Sequence, residues 1–310
     1  MRIGMLRIGT RGSQLALWQA NHIADSLRGL GHVVEIEIIR TTGDRMQQAG
    51  FEAGEKAPGK GIFTKEIEEA LAEGRVDLAV HSYKDLPTEI DSRFVIAAVP
   101  KREDSRDVFV SKKFESVGAL PEGARVGTGS LRRQSQLLAM RRGLECVDIR
   151  GNIDTRLRKM AQGGLDGLIL AAAGLERIGH TENIRHRFTV EEMCPAAGQG
   201  ALAIECRAED SVTRDALAAL EDKATRFSTD CERAALSALG GGCMVPIGVH
   251  CCDVGEGHSA HGVVADARGA RVVRAVCRKQ RGMDAHALGA AVAADLIAQG
   301  AMEILNGSGG

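Results

Sequence analysis

The chain has 310 residues, of which 44% are hydrophobic and 26% charged, and its formal net charge is -1. This balance excludes a mainly disordered chain and any general attraction to nucleic acid or to an anionic membrane. The first residues lack the apolar run of a signal peptide, and no stretch approaches the ~20 apolar residues of a membrane span. We therefore expect a cytoplasmic protein that binds neither nucleic acid nor membrane.

Strand-like and helical segments alternate through the first two-thirds of the chain, which is typical of an α/β fold with a largely parallel sheet. A first helix has one apolar face, made of Ala16, Ala20, Ile23, Leu27 and Leu30. Strands are predicted at 6–10, 33–40, 77–81, 94–99, 107–111, 125–127, 146–149 and 167–170, and further helices at 64–73, from Ser130 and from Ile153. The same order of elements occurs twice, which predicts two similar doubly wound domains.

Two punctuated stretches, 100–104 and 195–200, could join these domains as a two-segment hinge. Domain 1 would comprise residues 1–100 and 201–219, and domain 2 residues 105–194. From Thr225 the pattern changes to one helix, three strands (247–252, 258–264 and 271–277) and a last helix from about Asp284. Residues 223–310 are therefore predicted to form a smaller α+β domain 3.

Arginine recurs where predicted strands end and helices begin, at Arg11, Arg132, Arg133, Arg150 and Arg156. The first turn of a helix normally favours acidic side chains, and strand carboxyl ends line the ligand crevice of α/β sheets. Each arginine alone could pair with a nearby acid such as Asp148 or Asp154. A converging set is different, because two guanidinium groups about 4 Å apart repel by roughly 4 kcal/mol at an effective dielectric of about 20. The set predicts a ligand with several carboxylates or phosphates.

Nucleotide and metal sites have weaker support. The segment Gly54 to Lys60 matches GxxxxGK, but Gly61 follows where a P-loop needs Ser or Thr, and no hydrophobic strand precedes it. Among the eight cysteines, the adjacent Cys251 and Cys252 lack the spacing of structural zinc ligands. We expect no metal.

Two short stretches could carry chemistry. Lys84 and Asp85 follow a buried strand and precede a proline, so they are either an exposed pair at a turn or an acid and a base fixed at a strand end. Cys243 follows three glycines, which leave its sulfur accessible as a nucleophile or attachment point. A buried cysteine beside a tight turn is the equally weighted alternative.

Motifs along nearly the whole chain resemble those of the porphobilinogen deaminase family, also called hydroxymethylbilane synthases. They read, in order, LRIGTRGSQLALWQA, GKGIFTKEIE, DLAVHSYKDLP, REDSRDVFV, VGTGSLRRQ, IRGNIDTRL, PAAGQGALAIECR and GGCMVPIG. One departure stands in the fifth motif, where the family usually has two serines before LRR and this chain has Gly129 and Ser130.

The resemblance implies a three-domain enzyme of tetrapyrrole (heme) biosynthesis, with two domains of periplasmic-binding-protein type and a hinge. It would join four porphobilinogen molecules head to tail, release ammonia, and then release hydroxymethylbilane. A dipyrromethane cofactor made from substrate would be held by a thioether to Cys243. The protein is expected to be a monomer.

The resemblance also assigns roles to individual residues. Asp85 and Lys84 would be catalytic. The cofactor would be bound by Cys243, Thr128, Ser130, Arg132, Arg133, Lys84 and Asp85, and the substrate by Arg11, Ser13, Arg150, Arg156, Arg177 and Phe63. Since each pyrrole carries an acetate and a propionate, the ligand would supply the carboxylates that the arginines predict. The alternative is a non-catalytic protein that closes on a small anion, which would leave Cys243 and domain 3 without a purpose.

Overall fold

A computed structural model describes residues 5–42, 64–241, 245–255 and 257–307. The chain divides into two compact units, one made of Met1–Arg102 and Ala201–Arg226 and the other of Glu103–Gly200 and Phe227–Gly310. The first unit contains one sheet and the second contains two.

The strands described are β1 Met5–Thr10, β2 Val33–Ile38, β3 Leu78–Ser82, β4 Phe94–Ala98, β5 Asp107–Val110, β6 Arg125–Gly127, β7 Glu145–Val147, β8 Gly167–Ala171, β9 Ile184–Arg187, β10 Leu202–Arg207, β11 Ile247–Asp253, β12 His258–Ala265 and β13 Val272–Arg278. The helices described are α1 Gln14–Gly29, α2 Lys65–Ala72, α3 Leu131–Met140, α4 Ile153–Ala161, α5 Ala172–Arg177, α6 Ser211–Leu217, α7 Lys223–Ala238, α8 Ala285–Ala298 and α9 Ala301–Gly307.

The two five-stranded sheets share one plan. Their strand orders are β2-β1-β3-β10-β4 and β7-β6-β8-β5-β9. In each sheet the fourth strand, β10 or β5, runs antiparallel to both of its neighbours, and the other strand pairs are parallel. Both antiparallel strands are the first strand of their sheet after the chain enters from the other unit. The predicted class of two similar α/β sheets is confirmed, with this one antiparallel strand in each.

The first sheet is buried on both faces, which explains why its central strand reads as a continuous apolar run. Leu78 of β3 packs into the cluster that holds Ile23 and Leu27 of α1. Ala79, on the opposite face, belongs to the cluster of Ile67 and Leu71 from α2. The prediction that Leu30 shares the buried face of α1 is wrong: Leu30 is 51% exposed, because it lies at the C-cap, past the last turn.

The third sheet has the order β11-β12-β13 and is antiparallel throughout. Its apolar face packs against α7 and α8 through residues such as Cys231, Leu288 and Val292. Asp284 caps α8, as its carboxylate accepts a 2.7 Å hydrogen bond from a backbone amide of the first turn. The predicted α+β C-terminal region is confirmed.

The sequence prediction did not include α5, α6, β9 or β10, and it gave one last helix where the structure has α8 and α9. No single helix in the described ranges is long and apolar enough to cross a bilayer; α8 and α9 together reach that length and composition only as a pair bent by 72°.

Candidate functional site

The start of α3 is shaped by a close approach between two chain segments. Ser130 occupies the N-cap in an extended conformation, and its side chain makes no capping hydrogen bond. A Cβ on Gly129 would lie 2.9 Å from the carbonyl oxygen of Ile149 and 3.2 Å from a carboxylate oxygen of Asp148. Glycine therefore fits this turn where the related motif has serine, and the first amides of α3 lack a cap from the Ser130 hydroxyl.

Two buried arginines in the first turn of α3 share one buried carboxylate. Arg132 donates from Nη1 to Oδ2 of Asp107 at 2.6 Å, and Arg133 donates from Nε to Oδ1 of the same residue at 2.8 Å. Arg132 Nη1 also donates to the carbonyl oxygen of Cys194 at 2.7 Å. All three charged side chains are buried. The sequence analysis did not predict Asp107 as a partner of these arginines.

Burial and the neighbouring arginines have opposite effects on the pKa of Asp107. Burial alone would raise the pKa of Asp107, but the charges of Arg132 and Arg133, together with hydrogen bonds, hold that pKa at about 2. Asp107 is therefore ionised at neutral pH. The three side chains sum to one positive charge, so an internal acid satisfies part of the demand for an anion that the sequence predicted.

Gln199 completes the group from the segment that leads out of the second unit. Its Nε2 donates to Oδ1 of Asp107 at 3.0 Å and to the carbonyl oxygen of Ser105 at 2.7 Å, and its Oε1 accepts from Arg133 Nη2 at 3.3 Å. The sequence analysis gave Gln199 no individual role. Its amide connects the arginine pair to Ser105, which directly follows the predicted hinge stretch 100–104, and Gln199 itself lies in the other stretch, 195–200.

Arg177 lies at the end of α5 and is buried. Its Nη2 donates to the carbonyl oxygen of Gly200 at 2.7 Å. Burial lowers the pKa of this guanidinium from its usual value, and the charges of Glu103 and Glu176 partly oppose that. Gly200 has a φ of +85°, and its carbonyl also accepts from the backbone amide of Glu103. Arg177, predicted to bind substrate, thus contacts Gly200, which belongs to the same unit.

The other two predicted arginines of the second unit lie close to the start of α4. Arg150 is exposed and donates from Nε to Asp148 at 3.1 Å, the pairing that the sequence analysis held open as an alternative. Arg156 donates from Nε to the carbonyl oxygen of Gly151 at 2.8 Å. Neighbouring Asp154 lies 3.0 Å from Nε2 of His180.

The first unit holds Lys84 and Asp85 in a short 3-10 turn directly after β3. Asp85 is exposed and Lys84 is half-buried. The backbone amide of Tyr83 donates to the carbonyl oxygen of Ala201 at 3.0 Å, and Gln19 donates to the hydroxyl of Ser82 at 2.9 Å. Hydrogen bonds therefore connect the last residue of β3 to α1, and the first residue of the turn to the residue that precedes β10.

Arg11 and Ser13 follow β1, at the same sheet edge as the end of β3, because β1 and β3 are parallel. The Ser13 hydroxyl caps α1, accepting from the Ala16 amide at 3.4 Å. Phe63 and Cys243 lie outside the described residues. The prediction that all the listed side chains line one cavity stays a prediction.

Comparison with known proteins gives one consistent result. Residues 6–215 match the family model described as "Porphobilinogen deaminase, dipyromethane cofactor binding domain", and residues 227–298 match "Porphobilinogen deaminase, C-terminal domain". A porphobilinogen deaminase of Nitratidesulfovibrio vulgaris is 46% identical, covering 97% of this chain and 96% of the relative. Another, from Acidithiobacillus ferrooxidans, is 47% identical, covering 97% of each chain.

Among solved structures, a periplasmic substrate-binding protein of an ABC transporter from Coxiella burnetii is 16% identical, with a TM-score of 0.43 over 72% of this chain and 94% of that one. The two family models together span most of the sequence, and full-length relatives exceed 45% identity. The chain belongs to the porphobilinogen deaminase family.

Proposed function

We propose that this chain joins four porphobilinogen molecules head to tail with loss of ammonia and releases hydroxymethylbilane, in tetrapyrrole biosynthesis. Family membership supports the activity. Within the structure, the observation that carries the proposal is the buried pair Arg132 and Arg133, two cationic side chains in the first turn of α3 that share the single carboxylate of Asp107. They lie at a helix start whose N-cap side chain makes no capping hydrogen bond, an arrangement that favours a carboxylate ligand.

The residues around α3 fit a dipyrromethane cofactor by their chemistry. Arginine forks, a hydroxyl at Ser130 and another at Thr128 are donors suited to carboxylates. We propose that Cys243 attaches the cofactor by a thioether and that Thr128, Ser130, Arg132 and Arg133, with Lys84 and Asp85, hold its carboxylates and pyrrole nitrogens. When bound, the cofactor would supply the primer from which the product chain grows.

Asp85 and Lys84 are the proposed catalytic residues. Departure of ammonia leaves positive charge on the substrate, and a carboxylate at the exposed turn after β3 can stabilise that charge and hold a proton near a pyrrole nitrogen. Lys84, next along the chain, can pair with a carboxylate. Substrate carboxylates would be bound by Arg11, Ser13, Arg150, Arg156 and Arg177, and Phe63 would pack against a pyrrole ring.

We further propose that the chain works as three domains, residues 1–100 with 201–219, residues 105–194 and residues 223–310, with hinge motion during elongation. Three separate sheets and the passages of the chain between compact units support this division.

We also propose that the protein acts as a cytoplasmic monomer. Light scattering coupled to size exclusion tests the oligomeric state, and a dimer mass would refute it.

Intact-protein mass spectrometry tests the function. The purified protein should be heavier than its sequence by one dipyrromethane and should turn over porphobilinogen, whereas a bare mass without turnover would favour an anion-binding protein. In Cys243→Ser we expect the added mass to be lost, and Cys277→Ser, from β13, serves as the matched control. A wild-type mass increment in Cys243→Ser would move the attachment to another residue.

The role of Asp85 is tested by Asp85→Asn. We expect the variant to keep the cofactor mass and lose nearly all turnover, because the amide cannot offset positive charge on the substrate. Asp91→Asn is the control, since Asp91 is another aspartate of the same unit, paired with Arg93 at 2.8 Å on the surface. Retained turnover in Asp85→Asn would remove Asp85 from the mechanism.

A further inference from the structure

A histidine and a glutamate form a buried pair in the middle of the first sheet. Nε2 of His81, in β3, lies 3.0 Å from Oε2 of Glu205, in β10, and both side chains are buried. The strand register places His81 opposite Ala203 and Glu205 opposite Ala79. Both polar side chains therefore share one face of the sheet, where the two small alanines opposite them leave room for the contact.

The pair is incompletely satisfied. Oε1 of Glu205 is buried and makes no hydrogen bond within the part of the chain that the structure describes. A buried carboxyl group with an unused oxygen contributes less to stability than a well-packed apolar pair of similar volume. Glu205 therefore contributes little to the stability of the sheet, and its role follows instead from its location.

The location is the end of the strand that carries the proposed catalytic turn. Beyond His81, the ladder between β3 and β10 continues with Ser82 opposite Leu202, and Tyr83 donates to the carbonyl oxygen of Ala201. The chain then enters the turn that contains Asp85. The contact between His81 and Glu205 is therefore a side-chain link between the two strands just before this turn.

We infer that His81 and Glu205 are positioning residues for the reaction: their hydrogen bond fixes the end of β3 against β10 and so holds Lys84 and Asp85 in place. This inference rests on the proposed role of Asp85. The bond needs one proton between the two side chains, carried either by the imidazole or by the carboxyl group. A glutamine at position 205 can supply that bond, since its amide N–H can donate to neutral Nε2 of His81.

The experiment compares Glu205→Ala and Glu205→Gln in the full-length protein carrying its cofactor. We expect Glu205→Ala to lower kcat by roughly 10- to 100-fold with little change in KM, because small displacements of a reacting group reduce rates by such factors. The cofactor mass should be unchanged. Glu205→Gln should recover most of the lost kcat.

A stability control separates positioning from general destabilisation. Val34→Ala removes buried apolar volume from β2 in the same sheet and should lower the melting temperature while leaving kcat unchanged. If Glu205→Ala does not fold, the double variant His81→Phe with Glu205→Leu removes both polar groups at once and should still lose kcat.

Three results would overturn the inference: wild-type kcat in Glu205→Ala or in the folded double variant, a kcat loss no larger than that of Val34→Ala, or a kcat in Glu205→Gln as low as in Glu205→Ala. The last would mean that a hydrogen bond to His81 does not account for the contribution of Glu205. Failure of the catalytic proposal is distinguishable, because it is read from turnover of Asp85→Asn alone.

Discussion

Replacing Asp107 by asparagine should destabilise the second unit strongly. The carboxylate contacts Arg132 at 2.6 Å and Arg133 at 2.8 Å, and the asparagine amide would remove the negative charge that both buried guanidinium groups contact. Removing one partner of a buried ion pair lowers the free energy of unfolding by about 3 to 5 kcal/mol. About 2 kcal/mol of this loss in the free energy of unfolding corresponds to the lowering of the Asp107 pKa from 3.8 to about 2.

The sign of the pH dependence follows from the depressed pKa. The contribution of the Asp107 charge is complete above the unfolded pKa of 3.8 and is lost as the pH falls through the folded pKa of about 2. Because the asparagine variant lacks this contribution at every pH, its stability should differ most from wild type at neutral pH. The difference should narrow between about pH 4 and pH 2.

Urea unfolding followed by circular dichroism measures the effect, with Asp148→Asn as the matched control. Asp148 also contacts an arginine, Arg150, at 3.1 Å, but the side chains are 43% and 56% exposed. Such an exposed pair contributes at most about 1 kcal/mol. Equal losses in Asp107→Asn and Asp148→Asn would refute the reasoning that burial makes the Asp107 carboxylate essential.

Three further outcomes are expected. Gly200→Ala should lower the free energy of unfolding by about 1 to 3 kcal/mol, because its φ is +85° and the new Cβ would lie 2.7 Å from the Glu103 carbonyl oxygen. Gly179→Ala, with a φ of +73° and no atom within 4 Å of the new Cβ, measures the cost of the backbone conformation alone. Equal losses of stability in the two variants would mean that the contact with Glu103 adds no cost. Burial raises the pKa of the Cys194 thiol to about 12, so iodoacetamide at pH 8 should label it only after unfolding, as peptide mass spectrometry would show. Asp284→Ala should lower the free energy of unfolding by about 1 kcal/mol in thermal melts through loss of the α8 cap, and an unchanged melting temperature would contradict it.

Periodicity predicted most of the fold because burial on one or both faces of an element leaves a direct trace in the sequence. The strand Arg125–Gly127 and the starts of α3 and α4 lie where the pattern placed them. The segment Ile184–Arg187 escaped prediction, since three of its four residues are charged or polar and it lies at a sheet edge. The antiparallel direction of β5 and β10 also left no trace, because it depends on where the chain crosses between units.

The sequence predicted which residue types form the candidate site, but it did not predict which acid pairs with the buried arginines. The exposed contact of Arg150 with Asp148 was foreseen because the two residues are near in sequence. The partner of Arg132 lies 25 residues away, and only the fold brings it near. One signal was available: Asp107 opens a strand whose other residues are apolar, and a charged residue at a fully buried strand position needs a partner.

Asp107 compensates part of the charge at the start of α3, and the proposed carboxylate ligand would compensate more of it. Two arginines in a first turn oppose the helix dipole as well as each other, and both terms would be unfavourable in an isolated helix. Asp107 offsets one of the two charges from inside the fold, which lets the pair stay buried before any ligand binds. Because the two arginines share one carboxylate, they attract a carboxylate ligand more strongly than a cluster with one acid for each arginine would. The Asp107→Asn variant should therefore lose the stability that the carboxylate gives the unit while it keeps the two arginines that attract an anion.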